Sequence, residues 1–471
     1  AASDVYKRQG VHKCSGASGG TVFSMFLLET GIIIVAALLL MALIMLNFRD
    51  FVEDTVVVKL STLLAPERIW VPLSVVLLLF IVGGVLPGRL FARIPVSQVF
   101  RRYTEGKKGW KRPLLFVQFA GVAFISGLMC VVMSQYQYVL KKDMGYNPKQ
   151  IAIGNAYWDN EATRDAAYQF FKGLPYVEAV SSANSTPISG YSGSMIHSES
   201  GQALFSCRSS YFMREDFPAL MGMTMKTGRM ARDKEEVVVN ETFAEMMRWG
   251  DDVVGRTVYT EGNTFKVVGQ LKDFQIESFR TEKMPFIARG NKNFYGTVHV
   301  RLKEPFTENL QKLNHDVAEA FHDQTIDFTG YEKRIENSYN SVRVFRNATL
   351  MAAVTMFFIM LMGLIGYTTD EVRRRSKEIA IRKVNGAEAS GILEMLSRDI
   401  LVVAAPAVVI GTVLAWYVNG MWMEQFAERI HISWAVYVLV VMANLVIIVA
   451  CVLWKSWRIA NENPVNSIKS E

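Results

Sequence analysis

Six apolar runs, near residues 26–46, 69–88, 114–136, 346–367, 400–418 and 434–454, constrain this chain more than any other feature. A helix rises about 1.5 Å per residue, so about 20 apolar residues span a hydrocarbon core, and each run approaches that length. With 51% hydrophobic residues among 471, the chain is too apolar for a soluble protein of several domains. The expected fold class is a polytopic α-helical membrane protein with six transmembrane helices. Trp434 at one end of the last run and Trp454 and Trp457 at the other stand about 30 Å apart along a helix and read as interfacial anchors.

Orientation follows from the basic residues. Arg89, Arg93, Arg101, Arg102, Lys107, Lys108, Lys111 and Arg112 separate the second and third runs, opposed only by Glu105. Arg373, Arg374, Arg375, Lys377, Arg382 and Lys383 follow the fourth run, and Lys455 and Arg458 follow the last. Positively charged connections stay in the cytoplasm, so both ends of the chain are expected inside. The residues between the third and fourth runs, 140–345, are then extracytoplasmic. They mix strand-like runs at Glu236–Val239 and Phe265–Val268 with helical stretches near 163–173 and 306–322, which predicts an α+β domain. Ser189–Ser194 reads as an exposed loop.

Several function classes fall away on spacing. The net charge of +7 sits beside the apolar runs and carries no nucleic-acid motif. Cys14, Cys130, Cys207 and Cys451 lack the spacing of a zinc site or a disulfide framework, and Cys207 alone lies in the long polar block. His197, His299, His315 and His322 are scattered, with no HExxH pattern. Met221, Met223 and Met225 could offer soft ligands, but alternate residues of a strand also share one packed face. Residues 16–21, Gly-Ala-Ser-Gly-Gly-Thr, lack the lysine of a phosphate-binding loop, so neither a nucleotide site, a catalytic site nor a cofactor is expected. Energy must come from another subunit.

The chain also repeats itself. Lys13-Cys14-Ser15-Gly16-Ala17 aligns with Lys383-Val384-Asn385-Gly386-Ala387, both just before an apolar run, and the same register pairs Val11 with Ile381, Met25 with Met395 and Glu29 with Asp399. A second pair, Pro95-Val96-Ser97-Gln98-Val99 and Pro464-Val465-Asn466-Ser467-Ile468, follows the next two apolar runs of each copy. Duplicated membrane halves are a habit of transporters. The first copy carries His12 where the second has Arg382. Residues 378–387 alternate Glu378, Arg382 and Lys383 with Ile379, Ala380, Ile381 and Val384, which suits a short amphipathic helix along the membrane face, ended by Gly386.

The run from Arg374 to Ala387 resembles the cytoplasmic signature of FtsX-like permeases, the family that includes MacB-type exporters and lipoprotein-release permeases. Arg112-Pro113-Leu114-Leu115-Phe116-Val117-Gln118-Phe119, Asp143-Met144-Gly145-Tyr146, Val237-Val238-Val239-Asn240-Glu241 and Val267-Val268-Gly269-Gln270-Leu271-Lys272-Asp273-Phe274 are similar to other parts of the MacB type. The resemblance implies a two-half permease of which this chain is an N-terminally truncated piece. Residues 1–10, whose Asp4–Gln9 run resembles what a sequencing-library transposon end encodes, are expected to be a cloning or sequencing scar; the resemblance divides the rest into the end of a first permease half at 11–105, a transmembrane helix at 114–136, a MacB-like extracytoplasmic core at 140–345 and a second permease half at 346–471. It further implies a bacterial inner-membrane location, a cytoplasmic ABC ATPase as partner, a dimer of permeases and a membrane-fusion or other extracytoplasmic protein outside. Glu378, Arg382, Lys383, Gly386 and Ala387, with Lys13, Gly16 and Ala17 of the first copy, are the expected ATPase-coupling residues. A regulator of a cell-wall hydrolase and a membrane-anchored sensor are the alternative readings.

Overall fold

The computed structural model describes residues 18–92, 111–294, 296–322, 325–375, 378–379, 381–382, 385–386 and 388–460. Its longer helices are α1 Gly19–Asn47, α2 Trp70–Phe80, α3 Leu86–Ala92, α4 Lys111–Lys141, α5 Glu161–Gly173, α6 Phe306–Ala320, α7 Tyr331–Ser338, α8 Asn340–Arg374, α9 Ala389–Met423 and α10 Trp434–Ala460. The strands are β1 Ile151–Ala156, β2 Val177–Ala183, β3 Ser192–His197, β4 Ala203–Met213, β5 Met225–Gly228, β6 Glu236–Asn240, β7 Thr257–Thr260, β8 Asn263–Leu271, β9 Phe286–Gly290, β10 Gly296–Leu302 and β11 Thr329–Gly330. The chain divides into a helical unit and an α/β unit; the second holds Cys130–Arg343 and Trp416–Ser433.

Among the described residues, α1, α4, α8, α9 and α10 are each long and apolar enough to cross a bilayer. The sixth expected span, 69–88, takes a different form: α2, a π-helical stretch Ile81–Val85 and α3 follow one another without a break. Gly83 and Gly84 fall in the π stretch, where a Cβ on Gly84 would lie 3.2 Å from Thr30 of α1. Bare backbone there lets the two helices approach, and Thr30 donates to the Gly83 carbonyl at 3.5 Å. A π turn keeps every peptide group bonded while widening the helix, which periodicity alone does not reveal.

Within the helical unit α4, α8, α9 and α10 share one core, formed by Phe119, Ala123, Met360, Leu364, Ala404, Val408, Ile448 and Val452 among others. Lipid tails are as apolar as these side chains, so close packing rather than water exclusion holds such helices together. Gly411 on α9 makes the tightest crossing, since a Cβ there would fall 2.1 Å from the Ala120 carbonyl oxygen of α4. Asn444 of α10 donates to Ser126 of α4 at 3.0 Å and to its own Val440 carbonyl at 2.8 Å. That side chain is therefore a satisfied interhelical link. Trp434 and Trp454 remain 77% and 76% exposed at opposite ends of α10, as interfacial anchors should be.

The α/β unit has two parts that meet where β2 pairs with β4 at Ala183 and Met213 and that share a core including Ile153, Met213, Val238 and Phe286. In the first, β11, β1, β10 and β2 form an antiparallel sheet. Helices α5 and α6 cover one face through Ala167, Phe171, Leu313 and Val317, which pack with Ala152, Val180, Val298 and Val300. Asn160 caps α5 by accepting from Thr163 N at 2.9 Å, which fixes where that helix starts. In the second part β4, β3, β7, β8, β6 and β9 pair in sequence, and β9 pairs back to β4. This closed barrel leaves none of those six strands with an open edge. Its interior holds Ile196, Cys207, Val237, Val239, Phe243, Val267 and Ile287.

Two local expectations are corrected or refined here. Ser192–Ser194 lies in β3 rather than a loop, because it pairs with β4 and Ser194 donates to Ser209 at 2.8 Å. Cross-strand pairing outweighs turn-rich composition. Met221 closes the short helix Phe217–Met221 and is buried with Met223 in the core, so the three methionines do not share a strand face. The connection between α9 and α10 packs with the α/β unit: Gln135 donates to the Glu428 carbonyl and accepts from Ile430 N, both at 3.0 Å, and Phe426 is buried. Cys207 is free and 3% exposed, and burial pushes its thiol up to about 12.

Two outcomes follow. Gly411→Ala should lower the stability of the detergent-solubilised protein by about 1–3 kcal/mol through overpacking, whereas Gly391→Ala, with open space at its Cβ, should not destabilise it. Equal thermal midpoints for the two variants would remove the close-crossing argument. His299 of β10 is fully buried with its ring edge on Phe217 at 4.8 Å, and burial pushes its pKa down from 6.5 to about 3. The unfolded chain therefore binds the proton first, and stability falls as pH drops from about 6.5 towards 3. From pH 7.5 to pH 5 the α/β unit should lose about 2 kcal/mol, and His299→Gln should flatten that slope in pH-dependent thermal melts.

Candidate coupling site

The end of α8 and the start of α9 enclose the segment whose sequence pattern suggested a coupling role. Glu371, only 8% exposed, takes Arg374 at 2.7 Å and Arg375 at 2.6 Å, one helical turn away on its own helix. Arg375 also reaches Asp399 on α9 at 2.5 Å. Its guanidinium thus ties the last turn of α8 to α9 on either side of residues 376–388. Beneath this link Val372, Ile379, Ile392 and Leu396 are buried together, so both helix ends and the segment share one small core.

Beyond Arg375 the backbone stays helical in part, with Ile379 N bonding to the Arg375 carbonyl at 2.9 Å and Asn385 N to the Ile381 carbonyl at 3.0 Å. Glu378 and Arg382 face each other as an i,i+4 pair at 2.8 Å, while Ile379 points into the core and Ile381 is 61% exposed. Gly386 has φ +88°, a left-handed conformation that a side chain strains, and nothing lies within 4 Å of where its Cβ would be. Of the residues expected to couple, Glu378, Arg382 and Gly386 are therefore placed around one turn. Lys383, Ala387, Lys13, Gly16 and Ala17 lie outside the described residues, as do the first copy's remaining motif and the basic connection at 93–110.

Sequence reasoning missed the charged link itself. Arg374 and Arg375 signalled only topology, because each looked like one more basic residue beside an apolar run. The repeat register that pairs Asp399 with Glu29 was the available signal, since it kept a carboxylate at one place in both halves. Arg112 and Tyr367 complete the polar end of the bundle, with Arg112 Nε donating to the Tyr367 hydroxyl at 3.4 Å. No group of three or more His, Cys, Asp or Glu side chains among the described residues is arranged to hold a metal ion.

The partly buried Arg375–Asp399 pair should differ measurably from the exposed Glu378–Arg382 pair. In double-mutant cycles on thermal stability, Arg375→Gln with Asp399→Asn should give a coupling of about 1 kcal/mol, and Glu378→Gln with Arg382→Gln about 0.3–0.5 kcal/mol or less. Equal couplings would deny the interhelical link any special weight.

Residues 119–320 match the model of the MacB-like periplasmic core domain, and residues 348–464 match that of the FtsX-like permease C-terminal region. The macrolide export ATP-binding/permease protein MacB of Aggregatibacter actinomycetemcomitans is 21% identical over 365 residues, covering 70% of this chain and 54% of that protein. The chain thus spans about half the length of this curated relative. The periplasmic region of MacB from Actinobacillus actinomycetemcomitans is 12% identical with a TM-score of 0.31, covering 43% of this chain and 97% of that one. The extracellular domain of the noncanonic ABC-type transporter YknZ from Gram-positive bacteria is also 12% identical, with a TM-score of 0.27, covering 38% of this chain and 99% of that one. A MacB-like periplasmic core domain and an FtsX-like permease C-terminal region thus follow one another in this chain among helices long and apolar enough to cross a membrane, which makes it similar to the FtsX-like, MacB-type permeases.

Proposed function

We propose that the chain is the permease part of an ABC-type exporter or mechanotransmission complex, in which ATP hydrolysis by a separate cytoplasmic ATPase moves the extracytoplasmic α/β unit. The observation that carries this reading is the clamp at the base of the coupling segment, where Arg375 joins α8 to Asp399 of α9. A force applied to residues 376–388 would reach both helices together rather than be lost in a hinge. Glu378, Arg382 and Gly386, with Lys383 and Ala387, form the docking surface for the ATPase. Lys13, Gly16 and Ala17 do the same for the first half. The domain limits suggested by the sequence, 11–105, 114–136, 140–345 and 346–471, are retained as a working division, with residues 416–433 functioning alongside the extracytoplasmic domain. In this scheme both described ends face the cytoplasm, the permease works as a dimer, and a membrane-fusion or similar protein meets the domain outside.

The test is a variant that spares charge and insertion while altering the turn. Gly386→Pro should leave membrane insertion and thermal stability near wild type, yet reduce permease-stimulated ATP hydrolysis by the partner at least several-fold, because a proline ring cannot adopt φ +88°. Wild-type stimulation by a correctly inserted Gly386→Pro protein would leave the segment as a membrane anchor alone.

A further inference from the structure

A groove of about 540 Å³ opens on the helical unit between α4 and α9, at the end where the charged residues cluster. Pro113, Phe116 and Val117 of α4 line one side and Val402 and Pro406 of α9 the other, while among the described residues Arg112 is the one charged residue in its wall. Val117 and Val402 are 65% and 69% exposed, so the groove faces the surroundings of the bundle rather than its core. Two features make it more than a smooth lipid-facing surface. Pro406 lies inside α9 and has no N–H to give the Val402 carbonyl, which leaves a main-chain acceptor in the groove wall. Near its mouth, the guanidiniums of Arg112, Arg374 and Arg375 outnumber the carboxylates of Glu371 and Asp399, and the paired contacts use Arg374 and Arg375. Within this set Arg112 supplies the excess positive charge.

We propose that this groove is a binding site for one anionic phospholipid, phosphatidylglycerol in type, with an acyl chain along Phe116, Val117 and Val402 and its phosphate on Arg112. The apolar wall matches a hydrocarbon chain in the membrane, and a guanidinium at the mouth matches a phosphate. The net negative charge of phosphatidylglycerol is matched by Arg112, whereas a choline headgroup brings its own positive charge beside that guanidinium. Such a lipid would wedge α4 against α9 beside the Arg375–Asp399 link without being part of the ATPase surface. The site therefore stands or falls independently of the coupling role.

Native mass spectrometry of the full chain released from detergent tests the proposal, with phosphatidylglycerol and phosphatidylcholine of identical chains added at equal concentration. One phosphatidylglycerol should be retained per chain in preference to phosphatidylcholine. Arg112→Gln should weaken that retention about five-fold, the effect of losing one basic contact to an anionic lipid. Val402→Trp, which fills the groove and keeps every charge, should abolish it. Arg374→Gln, which removes a neighbouring exposed charge, should not change it. Equal loss with Arg374→Gln and Arg112→Gln, or undiminished binding in Val402→Trp, would mean an annular lipid only and would overturn the site. Should Arg112→Gln not fold, the Val402→Trp and Arg374→Gln comparison decides alone.

Discussion

Everything in the helical unit depends on the need of each peptide group inside hydrocarbon to find its hydrogen-bond partner within its own segment. That requirement makes the apolar runs helices, and it also limits how they can depart from helicity. The junction of α2 and α3 is a π stretch, which stays hydrogen-bonded, and it falls on Gly83 and Gly84 where Thr30 comes close. Pro406 is the exception within α9, because its ring withholds one donor. Once the helices exist, association in lipid rests on backbone proximity. Gly411 against Ala120 brings α9 onto α4, and Asn444 with Ser126 ties α10 to the same helix.

The same constraint explains where charge resides. Ionised side chains are costly in hydrocarbon, so Glu371, Arg374, Arg375 and Asp399 pair with one another at the ends of the spans, where Arg112 also lies against the Tyr367 hydroxyl. Arg375 does more than relieve a cost there. By bonding both to its own helix and to α9 it closes a loop of chain whose middle contains a glycine turn and an exposed ion pair. In the coupling role proposed above, force on that turn would pass to both helices through this link.

In the α/β unit the driving force is the removal of apolar surface from water. Phe171 of α5 and Leu313 and Val317 of α6 are buried against the four-stranded sheet, and the barrel closes around Val237, Phe243 and Val267. Burial carries electrostatic consequences. His299 is held neutral, Cys207 is held as a thiol, and Tyr331 and Tyr339 are pushed up to about 12. Tyr331 and Tyr339 still earn their place as hydrogen-bond acceptors, from Ile188 N at 3.3 Å and Phe279 N at 2.8 Å.

Sequence alone determined the membrane class, the approximate spans, the α+β character of the large block, strands β6 and β8, helices α5 and α6, and the resemblance to FtsX-like permeases. These are properties of local composition and period: an apolar run of sufficient length, an alternation of valines, or a motif such as Arg374–Ala387 carries its meaning within itself. Tertiary structure decided what depends on residues far apart in the chain. Closure of the barrel needed β9 to meet β4, strand status for Ser192–Ser194 needed β4 as partner, and residues 424–433 needed Gln135 to receive them. The candidate site was legible only as a pattern of Glu378, Arg382 and Gly386. Its mechanical basis was not, because whether Arg375 is a solvated flank or a link to Asp399 depends on the crossing of two helices, and no periodicity in either one encodes that.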